Sequence, residues 1–531
     1  MGGIWGGTSR FGAALGAMGL VVGLASCAEP TSTSNADGLV LADPYEDESL
    51  SPLMGFAEEG MSKIFDGLTT HDAQRRPRPA LAAEAPKPSA DGKTWTVRLR
   101  SGVRFHDGST FGPEDVVATY KALLDPKAAS PVASSYRMLA DVRQKGTDSV
   151  EFRLEHPYAP FPHKLILGIV PSEAVTGGKA EAAPINSRPV GTGPYRFAEW
   201  RRGERLVLTA NPAYWGGAPK IQRLTVLFVP DDNTRAQRMT RGDFDGTVLP
   251  PALAGTFAGR SGTTTYHHAS ADYRGVMLPQ KNPVTADLAI RRALNMAVDR
   301  DGMIRALLSG RGKPAYGPVP QVLGEFAEPS ATFRHDPAEA ARVLDAAGWR
   351  AGAGGVRSKD GKAARFTLMY PAGDSVRKAL ANGFASDVGK VGIKVDLVGL
   401  GWDAIEPRMK DDALLMGGGT SLDPDLVAYG LLHSSQAEDG FNNPGSYKDP
   451  QVDAALDRGR RTLDASARAD AYKAVQRRLM ENPPWVFLVF LDHSYVTRGQ
   501  WTGYQQVVDP HVHGVLSWGP WWNLEKWSRP A

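Results

Sequence analysis

Apolar and polar positions follow two periods along this chain. Trp95, Val97 and Leu99 alternate with Thr94, Thr96 and Arg98, the period-two pattern of a half-buried strand. Tyr195 and Phe197 alternate likewise, Leu206, Val207 and Leu208 form an apolar run, and Leu224, Val226 and Phe228 alternate again, predicting strand, turn, strand. A helix is signalled at Pro113, with Glu114 and Asp115 favouring the dipole in its first turn and Val116, Val117, Tyr120 and Leu124 for its buried face.

From Tyr273 onward helices with clear punctuation dominate. Ile290, Leu294, Ala297 and Val298 share one helical face, with Arg291, Arg292 and Arg300 mostly off it. Asp336-Pro337-Ala338-Glu339 supplies a cap, a proline at the first position and a capping-box glutamate, and Gly348 is the stop. Phe366, Leu368 and Tyr370 predict a strand, Val376 to Val391 a helix ended by Gly392, and Ile393, Val395 and Leu397 a second strand, together a βαβ unit with a parallel element. The last helix runs from Asp464 to Pro483-Pro484, and Trp485 to Leu491 reads as a strand buried on both faces.

At 531 residues the chain is too long for one core and should form two or three lobes. Its 42% hydrophobic and 22% charged residues are those of a globular protein, and a net charge of +3 gives no reason to expect nucleic acid or anionic membrane as the main partner. The single cysteine, Cys27, excludes disulfides within a monomer. It follows Arg10, a short apolar run from Phe11 to Leu24, and Ala25-Ser26, the layout of a secretion signal too short to span a bilayer stably. Leu24-Ala25-Ser26-Cys27 resembles the lipobox of bacterial lipoproteins, which implies cleavage before Cys27 and its lipidation. Polar residues from Ala28 to Gly38 then read as a flexible tether.

The stretch Arg188 to Trp215 contains Gly191-Thr192-Gly193-Pro194-Tyr195 and ends in Asn211-Pro212-Ala213-Tyr214-Trp215. A phosphate-cradling loop is excluded, because no Lys-Ser/Thr follows the glycines and Pro194 lacks an N–H. The two motifs resemble the extracytoplasmic solute-binding proteins of the peptide/nickel class of ABC importers, solute-binding protein family 5. Asp43-Pro44, Ile64-Phe65-Asp66-Gly67-Leu68 and Arg100 to Gly108 extend the resemblance, which runs from about Asp43 to Leu491. His106-Asp107 within it reads as a turn with a hydrogen-bonded histidine rather than as a catalytic pair.

The resemblance implies an α/β, bilobal periplasmic-binding-protein-like fold (class II, cluster C) with a ligand cleft between two α/β lobes. Its expected parts are a leader (1–26), a tether (27–38), lobe I (39–272, with an inserted subdomain at about 70–190), lobe II (273–484) and a return to lobe I (485–531).

The resemblance also nominates ligand contacts. They are Met54, Gly55 and Phe56 in the loop from Leu53 to Gly60, Val132 and Tyr136 in the inserted subdomain, and Gly418, Thr420, Asp423 and Asp425 in lobe II. Peptide-binding members usually place an aspartate for the ligand's α-amine three residues before the Asp-Pro pair, where this chain has Thr420, and the aromatic wall before it is replaced by Gly417-Gly418-Gly419. A buried ammonium without its counter-ion carries a penalty of several kcal/mol. Either Asp423 or Asp425 receives the amine, or the ligand is not an ordinary free-amine peptide; a capped turn before Leu426 accounts for both aspartates equally well. Trp402, Tyr429, Trp485 and Phe490 are wall residues or core. His433 reads as structural, His511-Val512-His513 as a weak metal signal, and the tryptophans from Trp501 to Trp527 as packing for the closing segment.

The function this implies is a lipid-anchored, extracytoplasmic receptor that captures an oligopeptide or peptide-like solute and delivers it to ABC permease subunits with their ATPases. It needs no cofactor or metal, performs no chemistry, and is expected to be a monomer. The same fold binding a nickel chelate, sugar or other small molecule, or serving signalling, is the alternative. A secreted lipoprotein hydrolase is disfavoured, since no Gly-x-Ser-x-Gly, His-Glu-x-x-His or P-loop occurs and Glu58-Glu59 and Asp411-Asp412 are merely sequence neighbours.

Overall fold

Two long strands, Thr263–Met277 and Trp485–Arg498, run antiparallel through the middle of an eleven-stranded mixed sheet. In one direction the sheet continues through Ala413–Gly418, Arg365–Pro371 and Lys394–Leu400. In the other it continues through Gly246–Leu249, Gly38–Asp43, Arg223–Phe228, Arg205–Ala210 and Tyr195–Arg201, and the eleventh strand, Gly312–Pro314, pairs off this path with Trp485–Arg498. The coordinates are a computed structural model that describes residues 38–531 apart from 58–61, 176, 353, 438–439, 512–513, 515 and 531. Cys27, the leader, nearly all of the tether, Gly60 and His513 lie outside the described residues. Gly38, expected at the tether's end, already pairs with Arg223 in the first strand.

Alternation along the central strands produces a core on each side of the sheet. Trp485 and Phe487 enter one and Val486 and Leu488 the other, just as Leu414 and Leu415 part to opposite faces. The predicted βαβ unit is present as Arg365–Pro371, helix Ser375–Gly389 and Lys394–Leu400, with the two strands parallel. A separate four-stranded sheet, Lys87–Pro88, Thr94–Arg98, Ser149–Leu154 and Leu139–Lys145, packs against helix Pro113–Leu124, where Tyr120 meets Phe152 edge to face.

One expectation needs correction. Arg291 and Arg300, placed mostly off the buried helix face by periodicity, are 5% and 3% exposed. Their guanidiniums satisfy backbone carbonyls, Arg291 Nε donating to Pro483 O at 2.8 Å and Arg300 Nε to Phe487 O at 2.8 Å, which offsets the cost of burying them. The expected lobe boundary at 272/273 falls inside the strand Thr263–Met277, where its register against Trp485–Arg498 shifts between Ala269 and Tyr273 and again after Arg274. Such irregularities bend a strand and re-aim its side chains. Here they are fixed by Ser270, whose hydroxyl donates to Leu491 O at 2.6 Å and accepts from the Asp272 N–H at 2.9 Å.

The Gly191-Thr192-Gly193 corner packs on the backbone at Ile64, where a Cβ on Gly193 would stand 2.6 Å from the Ile64 carbonyl carbon. His106 brackets the same corner, Nε2 lying 3.0 Å from Gly193 O and Nδ1 accepting the Gly191 N–H at 3.3 Å. Burial lowers its pKa to about 4, so the ring is neutral and serves this turn.

Candidate functional site

A cavity of about 460 Å³ opens where the crossing strands pass between the two halves of the sheet. Val248, Leu249 and Pro250 form its apolar wall on one side, and Val376, Leu400 and Trp402 on the other. Asp272 and Arg274 from one crossing strand and His493 from the other form its polar floor. The size and the mixture of apolar wall with a few polar groups suit a small-molecule site.

His493 lies between two carboxylates, its Nε2 3.0 Å from Asp272 Oδ2 and its Nδ1 3.3 Å from Asp509 Oδ2. Burial works to lower its pKa, but the hydrogen bonds and charges of both aspartates prevail and raise it to about 9, so the ring is an imidazolium at neutral pH. Asp272 also accepts from Arg274 and from His511 Nδ1 at 2.8 Å. Burial alone would raise its pKa, yet the charges of Arg274 and His511 hold it well below the usual range. Asp509 further accepts from the Tyr495 hydroxyl at 2.7 Å and the Gly519 N–H at 3.0 Å. The network therefore ties both crossing strands to the closing segment.

Arg377 starts the helix Ser375–Gly389, where Asp374 caps its N–H at 2.7 Å and pairs with its guanidinium at 2.5 Å. Arg274 and Arg377 meet at Gly417, whose missing side chain leaves room for both: a Cβ there would collide with Arg274 Nη1 and stand 3.0 Å from Arg377 Nη2. Gly417, the first of the three glycines that stand where the family has its aromatic wall, thus makes space for two cations.

Among the residues nominated from sequence, Trp402 lines this cavity, 40% exposed. Gly55 takes φ +96° after the turn Pro52–Met54 and packs on Val132, while Ser130 Oγ donates to Leu53 O at 2.6 Å. Met54 and Phe56 lie against the lobe I core, Phe56 beside a separate small cavity. Val132 and Tyr136 are buried there, the Tyr136 hydroxyl donating to Lys164 O at 3.1 Å.

The second-lobe nominees are engaged within the protein. Gly418 packs on the Tyr273 hydroxyl, and Thr420, 2% exposed, accepts the Leu422 N–H at 3.2 Å. Asp423 receives Arg468 Nη2 at 2.8 and 2.9 Å. Asp425 receives Arg460 Nη2 at 3.0 Å and the hydroxyls of Tyr158 and Tyr472 at 2.8 and 3.1 Å. Each of these buried charges already has an arginine, which favours a structural role for both aspartates, although Asp425 also lines a separate cavity with Tyr158, Tyr429 and Arg460. Trp485 and Phe490 are core, Trp485 stacked on Phe487 at 5.4 Å. His433 stacks on Tyr429 at 4.3 Å and accepts the Ser435 N–H at 3.1 Å, a structural role, and Tyr429 also carries the Arg460 guanidinium on its ring.

Sequence reasoning passed over Asp272, Arg274, Arg377 and His493. A signal existed for three of them. Asp272 and Arg274 precede Gly275-Val276-Met277-Leu278, and His493 follows a run of seven apolar residues, so both sets interrupt strands whose neighbours are buried.

A family model described as bacterial extracellular solute-binding proteins, family 5 Middle, matches residues 76–439. The chain belongs to family 5 of the bacterial extracellular solute-binding proteins. It is 43% identical over 513 residues to Protein XP55 of Streptomyces lividans, covering 96% of this chain and 94% of that one. It is 27% identical to the oligopeptide-binding protein AppA of Bacillus subtilis, covering 86% of each. Among solved structures, NikZ from Campylobacter jejuni in complex with Ni(L-His) superposes with a TM-score of 0.85 at 28% identity, covering 93% of this chain and all (100%) of that one. Bacillus subtilis AppA in complex with a nonapeptide does so with a TM-score of 0.81 at 26% identity, covering 93% and 99%. The family 5 fold is thus the bilobal α/β arrangement expected, and this chain is a solute-binding protein.

Proposed function

We propose that this protein captures an oligopeptide or peptide-like solute in the cavity between its lobes and presents it to the permease of an ABC importer, held outside the membrane by a lipid on Cys27. The observation that carries this is the cavity itself, with apolar walls from both halves of the sheet and charged groups converging at the crossing strands. Two helix starts face each other over it, where Ser375 Oγ donates to Asp232 Oδ2 at 3.1 Å. A solute touching both sides adds favourable contacts only when the lobes are closed, so binding shifts the population toward the closed form. The protein performs no chemistry on the solute in this reading. The likeness to AppA and to other peptide-binding relatives supports a peptide-like cargo, and the sequence Leu24-Ala25-Ser26-Cys27 supports the anchor.

Native mass spectrometry of the full chain, purified without denaturation, should show a retained solute of peptide-like mass. Calorimetry with a peptide library should then show binding that Trp402→Ala weakens; a library without a binder refutes the cargo. Cys27→Ala should release the protein from membranes, and unchanged retention refutes the anchor. Co-purification with permease and ATPase subunits tests the transport role.

A further inference from the structure

Arg274 and Arg377 are 8% and 6% exposed, both line the cavity, and the Nε of each finds no hydrogen-bond acceptor among the described residues. A buried guanidinium with an unmatched donor is costly unless something else supplies the acceptor. Their carboxylates are already divided. Asp272 is shared by Arg274, His493 and His511, and Asp374 serves both Arg377 and the start of its helix. Three other acids line the cavity. Asp232 pairs with Arg235, Asp43 accepts the Tyr45 N–H at 2.9 Å, and Asp492 lies in the field of Lys313 and Arg311. The helices Asp232–Arg241 and Ser375–Gly389 both begin at the cavity and add the positive ends of their dipoles.

The place where an α-amine was expected is filled from within. Arg75, 4% exposed at φ +64° in the turn between Thr69–His71 and Pro77–Pro79, donates from Nε to Ser421 Oγ at 3.2 Å. Its guanidinium lies on the Trp518 ring, 4.2 Å from the centroid, and Trp518 is itself a wall of the cavity. The closing segment covers the same loop, as His511 N donates to Gly419 O at 2.9 Å and Ser421 Oγ to Val508 O at 3.0 Å. A cation of the protein's own therefore stands beside Thr420 and Ser421, and the nearby Asp423 and Asp425 are already paired with Arg468 and Arg460.

We propose that Arg274 and Arg377 together hold an acidic group of the solute, and that the protein takes acidic peptide-like solutes whose α-amine is blocked or absent. Gly417 is what allows the pair, and Arg274 is its specificity-determining member. This rests on the reading of the cavity as the solute site.

The test is calorimetry on the full chain, freed of retained solute, with three probes: Ala-Ala-Ala, its N-acetyl form, and the N-acetyl form amidated at its C-terminus. The acetylated acid should bind at least as tightly as the free tripeptide, and amidation should weaken it about tenfold or more, the worth of a charged hydrogen bond. Arg274→Gln and Arg377→Gln should each cost the acid about tenfold and remove the preference for acid over amide. The wild-type probe series stands on its own if either variant fails to fold. Equal binding of acid and amide, or a requirement for the free amine, overturns the proposal, as does binding of none of the three. If Trp402→Ala weakens binding while Arg274→Gln does not, the proposal fails and the solute site stands. If neither does, both readings fail.

Discussion

The Asp66 carboxylate accepts the indole N–H of Trp215 at 2.8 Å, joining the Ile64 to Leu68 segment to the far end of the Arg188 to Trp215 corner. Thr192 Oγ1 donates to the same carboxylate at 2.9 Å and the Tyr214 hydroxyl donates to it at 3.2 Å, so one buried acid gathers both sequence motifs. Burial pushes its pKa up while these hydrogen bonds pull it down, the burial winning. Asp66→Ala leaves three donors without their acceptor and should cost about 3–5 kcal/mol. Urea denaturation of the two proteins measures this, and a loss below about 1 kcal/mol would show that the corner is held by its backbone contacts instead.

Asp423→Ala strips the counter-ion from Arg468, which is paired through both carboxylate oxygens. The expected loss of stability is about 3 kcal/mol, because an arginine in a largely dry site is left unpaired. Solute affinity should stay within about twofold of wild type, since neither residue lines the cavity at the crossing strands. Parallel denaturation and calorimetry check both halves, and a large loss of affinity without a loss of stability would return Asp423 to the ligand.

Gly417→Ala places a methyl group where the Arg274 and Arg377 guanidiniums crowd together. The arginines have flexible ends, so the fold should survive with a loss of about 1–3 kcal/mol, while one guanidinium is displaced from the cavity floor. Affinity for the solute should fall about tenfold in calorimetry. A variant that binds normally would show that the paired geometry at Gly417 is dispensable.

The fold was legible because its signals are local. Alternation in Trp95 to Leu99 and the Asp336 cap each act over a few residues, and Asp336 Oδ1 does accept the N–H of Glu339. The cavity floor was not legible, because Arg274 and Arg377 meet only after a register shift turns one strand and Gly417 leaves room on its neighbour. Thr420 is nominated only by its position in the chain. Whether its loop faces solute depends on Arg75, Val508, His511 and Trp518, which arrive from elsewhere in sequence to cover it.

The His493 imidazolium gives the crossing strands a dependence on alkaline pH. Its pKa rises from an ordinary value near 6.5 to about 9 in the fold, as the bonds to Asp272 and Asp509 outweigh burial. Between those two values the folded protein holds a proton that the unfolded chain has released. The contribution is thus fully present below about pH 6.5 and is lost as pH rises through about 9, at up to about 1.4 kcal/mol per pH unit. The partners are all placed to respond: Asp272 on one crossing strand, Tyr495 beside His493 on the other, and Asp509 and His511 in the closing segment. His511, whose pKa is lowered by burial, acts on the acid side instead, where stability is lost as pH falls below about 6.5. Stability from urea denaturation, taken at several pH values between about 6.5 and about 9, should decline in the wild type and be flatter in His493→Gln. Equal slopes in the two proteins would mean that His493 is neutral in the folded state and that the crossing strands are held by hydrogen bonds without its charge.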